Sequence, residues 1–212
     1  MSDKLRLGVL ISGSGRTLQN FLDRSEAGTL SAEVVKVISN KRDAYGLQRA
    51  ADHDVPATVV ANADFQDNES FSQAITRELE EADVDLVAMA GFLSFYLIPD
   101  RMEGRVMNIH PALLPSFGGE GFYGDRVHRA VLDYGCKVTG CTVHFADNRY
   151  DNGPIIVQKA VNVKEGDDVH SLADRVFEQE LEAYPAAINL FAADRLRIEG
   201  RVVRILPAAS GF

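Results

Sequence analysis

Asn108 and His110 stand two residues apart in the run VMNIHPALLPSFGG, Val106–Gly119. An amide donor beside an imidazole suits the stabilisation of an oxyanion and the movement of a proton. Side chains alternate along a strand, so Asn108 and His110 share one face while Ile109 points to the other. Pro111 holds His110 extended and denies it a helical continuation. The pair is therefore expected at the carboxyl end of a parallel strand, the edge where open α/β sheets bind ligands. A satisfied polar couple that merely ends a strand would have the same composition.

Three further places could join this chemistry. ISGSGRTLQN, Ile11–Asn20, puts a Gly-rich turn between a strand and a helix, leaving backbone N–H groups at the helix N-terminus for a phosphate. Gly13 and Gly15 fit G-x-G, but Leu18 occupies the third glycine position, and the next strand runs from Ile38 into Ser39 and Asn40 without a ribose-binding acid. That disfavours a dinucleotide site and leaves a mononucleotide-type phosphate loop or a tight turn. DNRYDNGP, Asp147–Pro154, is a turn by composition. In it Asp151 and Asn152 either build the turn through their own side chains or Asp151 orients an imidazole. Glu180 falls on the helical stripe Val169, Leu172, Val176, Tyr184, Ile188. A carboxylate on an apolar face needs a structural partner or a ligand.

Other chemistries are disfavoured. No two histidines have helical metal-ligand spacing, so no metal is expected. Arg149 occupies the second ligand position an EF-hand would need, and there is no G-x-S-x-G elbow. His53, His128 and His170 read as surface residues, and His144 as structural or as an outer contact of the site. The formal charge of −9 argues against a broad nucleic-acid surface. No apolar run is long enough to span a membrane, and MSDKLRLGVLIS lacks a signal-peptide layout. The expected setting is the cytoplasm. The two cysteines, Cys136 and Cys141, are not spaced as a redox or zinc pair and are expected as free thiols.

The elements that must position these groups alternate over the first half. Strands are expected at Leu5–Ile11, Val34–Ile38, Ala57–Val60, Val84–Ala90 and Arg105–Ile109. Helices are expected at Thr17–Arg24, Ala44–Asp52 and Glu69–Glu81. Such alternation builds a parallel sheet covered by helices. In the second half, His128–Tyr134 reads as a helix, and Cys136–Phe145 with Ile155–Val163 as an antiparallel pair. Val169–Phe191 is a long helix capped by Asp167 or Asp168, with Pro185 expected to kink or interrupt it. Leu196–Leu206 is a terminal hairpin. The fold class is α/β: a Rossmann-like open sheet, mostly parallel in the N-terminal half, antiparallel in the C-terminal half, with helices on both faces. At 212 residues it suits a single domain, 1–212, with a phosphate/nucleotide-binding half (1–103) and a half that carries the Asn108–His110 pair (104–212).

The segments SGSGRTLQN, SNKRDAYGLQRA, MAGFLSFY, MNIHPALLPSFGG and YDNGPIIVQ, in that order, resemble the phosphoribosylglycinamide formyltransferase family of folate-dependent formyltransferases. The resemblance runs from about Leu5 to Leu196. It implies transfer of a formyl group from 10-formyltetrahydrofolate, a co-substrate, to the amine of 5-phosphoribosylglycinamide in purine biosynthesis, by a monomer or homodimer. It assigns catalysis to Asn108, His110 and Asp151. It assigns the phosphate loop to Gly13, Gly15, Arg16 and Thr17, and a substrate contact to Glu180. Leu93, Ser94, Phe95 and Tyr96 match the segment whose backbone holds the folate pterin. Asn108 also lies on the folate side, and Asn68 falls where a folate-contacting Arg can occur.

The chain departs from the family pattern in several places. Arg16-Thr17 replaces the commoner Ser-Asn, and Ser94 stands where an Arg is frequent. MAGFLSFYLIP has an extra residue before its Pro, and SFGGEGFYGDRVH is longer than the simplest family loop. Competing readings are a formyltetrahydrofolate hydrolase, which normally adds an N-terminal regulatory domain, and a non-catalytic nucleotide-binding module. A formyl-methionyl-tRNA formyltransferase should be more basic and carry an additional RNA-binding domain.

Overall fold

The computed structural model describes residues 4–208. Among the described residues the α/β fold has nine strands, parallel in the first half and partly antiparallel in the second, and five α-helices. The chain divides after Met107 into two compact units.

The first unit holds strands β1 (Leu5–Ile11), β2 (Ala32–Ser39), β3 (Ala57–Val59) and β4 (Leu86–Met89) in the order β3-β2-β1-β4, all parallel. Leu7, Val9, Leu10 and Ile11 of β1 are fully buried. A near-continuous apolar run is what a parallel strand covered on both faces requires. Helices α1 (Arg16–Glu26), α2 (Gly46–Asp52) and α3 (Asn68–Glu81) alternate with these strands. Asp67 caps α3 by accepting from Ser70 N at 2.7 Å, and α3 buries Phe71, Ile75 and Leu79.

The second unit takes most of β5 (Val106–His110), then α4 (Asp125–Tyr134), β6 (Val138–Phe145), β7 (Ile155–Asn162), α5 (Val169–Ala192), β8 (Leu196–Glu199) and β9 (Val202–Ile205). The strand order here is β5-β6-β7-β9-β8. β6 and β7 pair antiparallel from Val138↔Asn162 to His144↔Ile155, as their Val- and Thr-rich pattern predicts, and β8–β9 is the expected hairpin. β9 meets β7 in parallel through Ile155↔Val202.

Two expectations need correction. Pro185 does not interrupt α5, which runs unbroken from Val169 to Ala192. Proline withholds one hydrogen bond and typically costs about 3 kcal/mol in a helix interior. Here Ala183, Tyr184, Pro185, Ala187 and Ile188 are all buried, and that packing outweighs the loss. The helix begins at an Asp168–Ser171 capping box, while Asp167 instead accepts from both Arg175 terminal nitrogens, at 2.6 and 2.7 Å. The second correction is His128, which is 4% exposed inside α4 rather than on the surface. Burial pushes its imidazole below the ordinary histidine value, Asp125 opposes that shift, and Nδ1 has no hydrogen-bond partner. His53 is also mostly covered, held by Gln19 at 3.0 Å and Glu26 at 2.6 Å.

Cys136 and Cys141 are free thiols. Burial, reinforced by the Glu180 carboxylate, pushes the Cys141 thiol up to about 12.

Candidate active site

The apolar run of β5 ends on the two polar groups that its alternation predicts, and both turn toward one carboxylate. His110 is 3% exposed, and its Nδ1 lies 3.4 Å from Asp151 Oδ2. Asn108 Nδ2 donates to Asp151 Oδ1 at 3.3 Å. Asp151 Oδ2 also accepts from Gly119 N at 2.9 Å. His110 Nε2 lies 2.8 Å from Phe117 O. A carbonyl only accepts, so this nitrogen carries a hydrogen. Each donor thus rests on an internal acceptor: the amide on Asp151, the imidazole on Phe117.

The turn that delivers Asp151 is built by its neighbours. Asn152 Nδ2 donates to Asp147 Oδ2 at 2.7 Å, and Arg149 N to Asp147 Oδ1 at 3.0 Å. This leaves Asp151, in the left-handed region at φ 48°, to face His110. The turn is thus held by Asp147 with Asn152 rather than by Asp151 with Asn152, and the Asp151 carboxylate faces the imidazole. Gly153 permits it: a Cβ there would overlap the Phe145 carbonyl. Phe145 N donates to Pro154 O at 2.9 Å where the return strand begins.

The stretch after His110 is pinned from below. Thr142 Oγ1 donates to Ala112 O at 2.7 Å and accepts from Leu114 N at 3.0 Å. Gln158 Nε2 donates to Leu114 O at 3.0 Å. Beyond the Leu114–Pro115 bond, Phe117 (φ 53°) and Gly119 (φ 100°) fold the chain so that one presents its carbonyl to His110 and the other its N–H to Asp151. Phe117 packs edge-on against Phe122 and Tyr134. Nothing in the spacing of SFGGEGFYG announces these backbone contacts. His144 makes the outer contact its pattern allows: its Nε2 lies 3.2 Å from Asn108 Nδ2 and its Nδ1 2.9 Å from Phe145 O. Glu180 is half-buried on α5, whose apolar stripe is buried as its spacing predicts.

The first unit carries the other expected residues. Gly15 caps α1 in the left-handed region, φ 69°, with no side chain to satisfy the first-turn N–H groups. Gly13 and Arg16 are exposed, and Thr17 is buried. The loop is set by α2: Gly46 N donates to Gly13 O at 3.0 Å, and Arg49 Nε to Ser14 O at 2.8 Å. A Cβ on Gly15 would lie 2.6 Å from Gly46 Cα, so the two backbones touch. Gly46 and Arg49 belong to the motif SNKRDAYGLQRA, and their support of the loop is a role that spacing alone does not reveal.

In the expected folate segment, Leu93 is exposed and its N–H donates to Ser12 Oγ at 2.7 Å. Ser94 Oγ accepts from Asn40 Nδ2 at 2.7 Å, and Phe95 is half-buried. Tyr96 is 2% exposed, its hydroxyl 2.8 Å from Thr76 Oγ1, and burial pushes the phenol's pKa above the ordinary tyrosine value. Asn68 begins α3 and is half-buried.

Among the described residues no three His, Cys, Asp or Glu side chains gather to hold a metal ion, and no helix is long and apolar enough to cross a membrane.

A formyl transferase family model matches residues 5–188. A phosphoribosylglycinamide formyltransferase of Haemophilus influenzae is 36% identical over 197 residues, covering 92% of this chain and 90% of that protein. The trifunctional purine biosynthetic protein adenosine-3 of Gallus gallus is 40% identical over 199 residues, which is 93% of this chain. The chain spans only 19% of that relative's length. Among solved structures, glycinamide ribonucleotide transformylase 1 of Symbiobacterium toebii superposes with a TM-score of 0.91 at 44% identity, covering 98% of this chain and 96% of that one.

Proposed function

The chain belongs to the formyl transferase family, and we propose that it transfers the formyl group of 10-formyltetrahydrofolate to the primary amine of 5-phosphoribosylglycinamide in de novo purine biosynthesis. The observation that carries this reading is the gathering of Asn108 and His110 on the Asp151 carboxylate.

The amine lone pair attacks the formyl carbon and forms the new C–N bond. The carbonyl π electrons move onto oxygen. Asn108 and His110 then exchange their resting acceptors, Asp151 Oδ1 and Phe117 O, for this oxyanion. Asp151 faces the imidazole Nδ1 and stabilises positive charge on the ring. The attacking nitrogen loses a proton, the folate N10 gains one, and the C–N10 bond breaks, releasing tetrahydrofolate and the formylated ribonucleotide. An uncharged amine is already a good nucleophile, so no covalent enzyme intermediate is needed, and alignment supplies much of the rate.

In the same reading the loop of Gly13, Gly15, Arg16 and Thr17 takes the ribonucleotide phosphate on the α1 N-terminus. Glu180 contacts that substrate. Asn68 and the segment Leu93, Ser94, Phe95 and Tyr96 take the folate, the latter by its backbone. Residues 1–212 act as one formyltransferase domain, a monomer or homodimer in the cytoplasm, with small molecules rather than nucleic acid or membrane as partners.

The test is tetrahydrofolate release from 10-formyltetrahydrofolate with and without the ribonucleotide. Release only in its presence is expected. Equal release without it would make the chain a hydrolase, and binding of ribonucleotide with no release would make it a non-catalytic module.

A further inference from the structure

We propose that His144, which the sequence pattern assigns a structural role or an outer contact of the site, is a positioning residue that fixes which end of the Asn108 amide is presented for catalysis. The assignment follows from which atoms can donate. His144 Nδ1 lies 2.9 Å from Phe145 O, a carbonyl that only accepts, so Nδ1 carries the hydrogen. His144 Nε2 lies 3.2 Å from Asn108 Nδ2, an amide nitrogen that only donates, so Nε2 offers its lone pair and the ring is neutral. The same Asn108 nitrogen has its second acceptor in Asp151 Oδ1, at 3.3 Å. Two acceptors on one side therefore hold the amide with its NH2 group inward. Rotated by half a turn, Asn108 would set its oxygen against a carboxylate oxygen and an imidazole lone pair.

The surroundings keep the ring in this form. His144 is 1% exposed, and burial disfavours its charged state. The charged and titratable groups that act on it are Asp151, whose Oδ1 is 3.9 Å from Nε2, together with Asp147 and His110. The two carboxylates favour protonation and His110 opposes it. Protonation of Nε2 would put an N–H against the Asn108 NH2 group and release the amide. Gly153 contributes from behind, since only a glycine there leaves the Phe145 carbonyl in place to accept from Nδ1.

This inference rests on the proposed formyl transfer, and two readouts separate the two. The first is 15N NMR of histidine-labelled protein, which needs no turnover: Nδ1 protonated and Nε2 bare near neutral pH is expected. A His144 ring protonated on Nε2 overturns the assignment. The second is a comparison of His144→Gln, whose side-chain oxygen sits near the Nε2 position and can accept from Asn108, with His144→Leu, which cannot. His144→Leu should lose about ten- to hundredfold in kcat with little change in either KM, as expected for a misaligned donor. His144→Gln should stay within about threefold of the wild type. A folded His144→Leu with native kcat, or a folded His144→Gln no better than it, overturns the assignment. If His144→Leu does not fold, native-like kcat in His144→Gln together with the expected tautomer upholds it, and a large loss of kcat in His144→Gln overturns it. A wild-type chain that releases no tetrahydrofolate would sink the transfer reading, while the tautomer would still be read.

Discussion

Asp151→Asn is the sharpest single perturbation, because it keeps the shape and removes one acceptor and one charge. Asp151 Oδ2 accepts from Gly119 N at 2.9 Å and lies 3.4 Å from His110 Nδ1. Asp151 Oδ1 accepts from Asn108 Nδ2 at 3.3 Å. An amide must put its NH2 group on one of these sides. On the first it faces the Gly119 N–H, and on the second it faces the Asn108 NH2 group. Either way one donor loses its acceptor, at a cost of about 1–3 kcal/mol. At about 1.4 kcal/mol per tenfold, misplacement alone accounts for roughly a ten- to hundredfold loss of rate. Loss of the negative charge beside the imidazole should take the total fall in kcat to about two to four orders of magnitude. KM for either substrate should move little, because the interaction acts on the charge that develops during the reaction. The assay is initial-rate tetrahydrofolate release with both substrates saturating. A variant that folds and keeps kcat within about threefold of the wild type would refute the role given to Asp151.

Gly15→Ala should raise KM for the ribonucleotide with kcat nearly unchanged. The new Cβ meets Gly46 Cα at 2.6 Å and the residue must keep φ 69°, so the loop distorts; an unchanged KM would remove the phosphate from this loop. Gly153→Ala should destabilise the chain by about 1–3 kcal/mol through backbone overlap with Phe145. In a chain of this size that lowers Tm by roughly 2–4 °C per kcal/mol, readable by calorimetry, and a native Tm contradicts the packing. His128 and His144 both titrate below the ordinary histidine value when folded, chiefly through burial. Between the folded values and about 6.5 the unfolded chain binds more protons, so stability should fall as pH drops through that window and level off above it. Urea midpoints at several pH values should show a shallower slope for His128→Gln, and an unchanged slope rules out its contribution.

The parallel half was legible because burial on both faces leaves runs such as LRLGVLI that admit few other structures. Asn108 and His110 were legible for a related reason: period-two alternation fixes which side chains share a face. What alternation cannot say is who else arrives at that face. Asp151 comes from a turn whose left-handed backbone no pattern announces, and the Phe117 carbonyl and Gly119 N–H are main-chain groups, blind to residue type. His128 was misread because its exposure depends on how α4 packs, and a ten-residue helix gives little periodicity to judge by. Pro185 does not interrupt α5 because the buried residues around it offset the hydrogen bond it withholds, and that packing lies outside any local rule.

The touching backbones of Gly15 and Gly46 bear on how tightly an anion can be held. With Gly13 O and Ser14 O already engaged by α2, the turn is ordered before any guest arrives. Freezing a loose segment of five residues on association would cost on the order of 5–10 kcal/mol of chain entropy. Here that toll is met once, during folding, and under the proposed function each arriving phosphate keeps more of its intrinsic attraction.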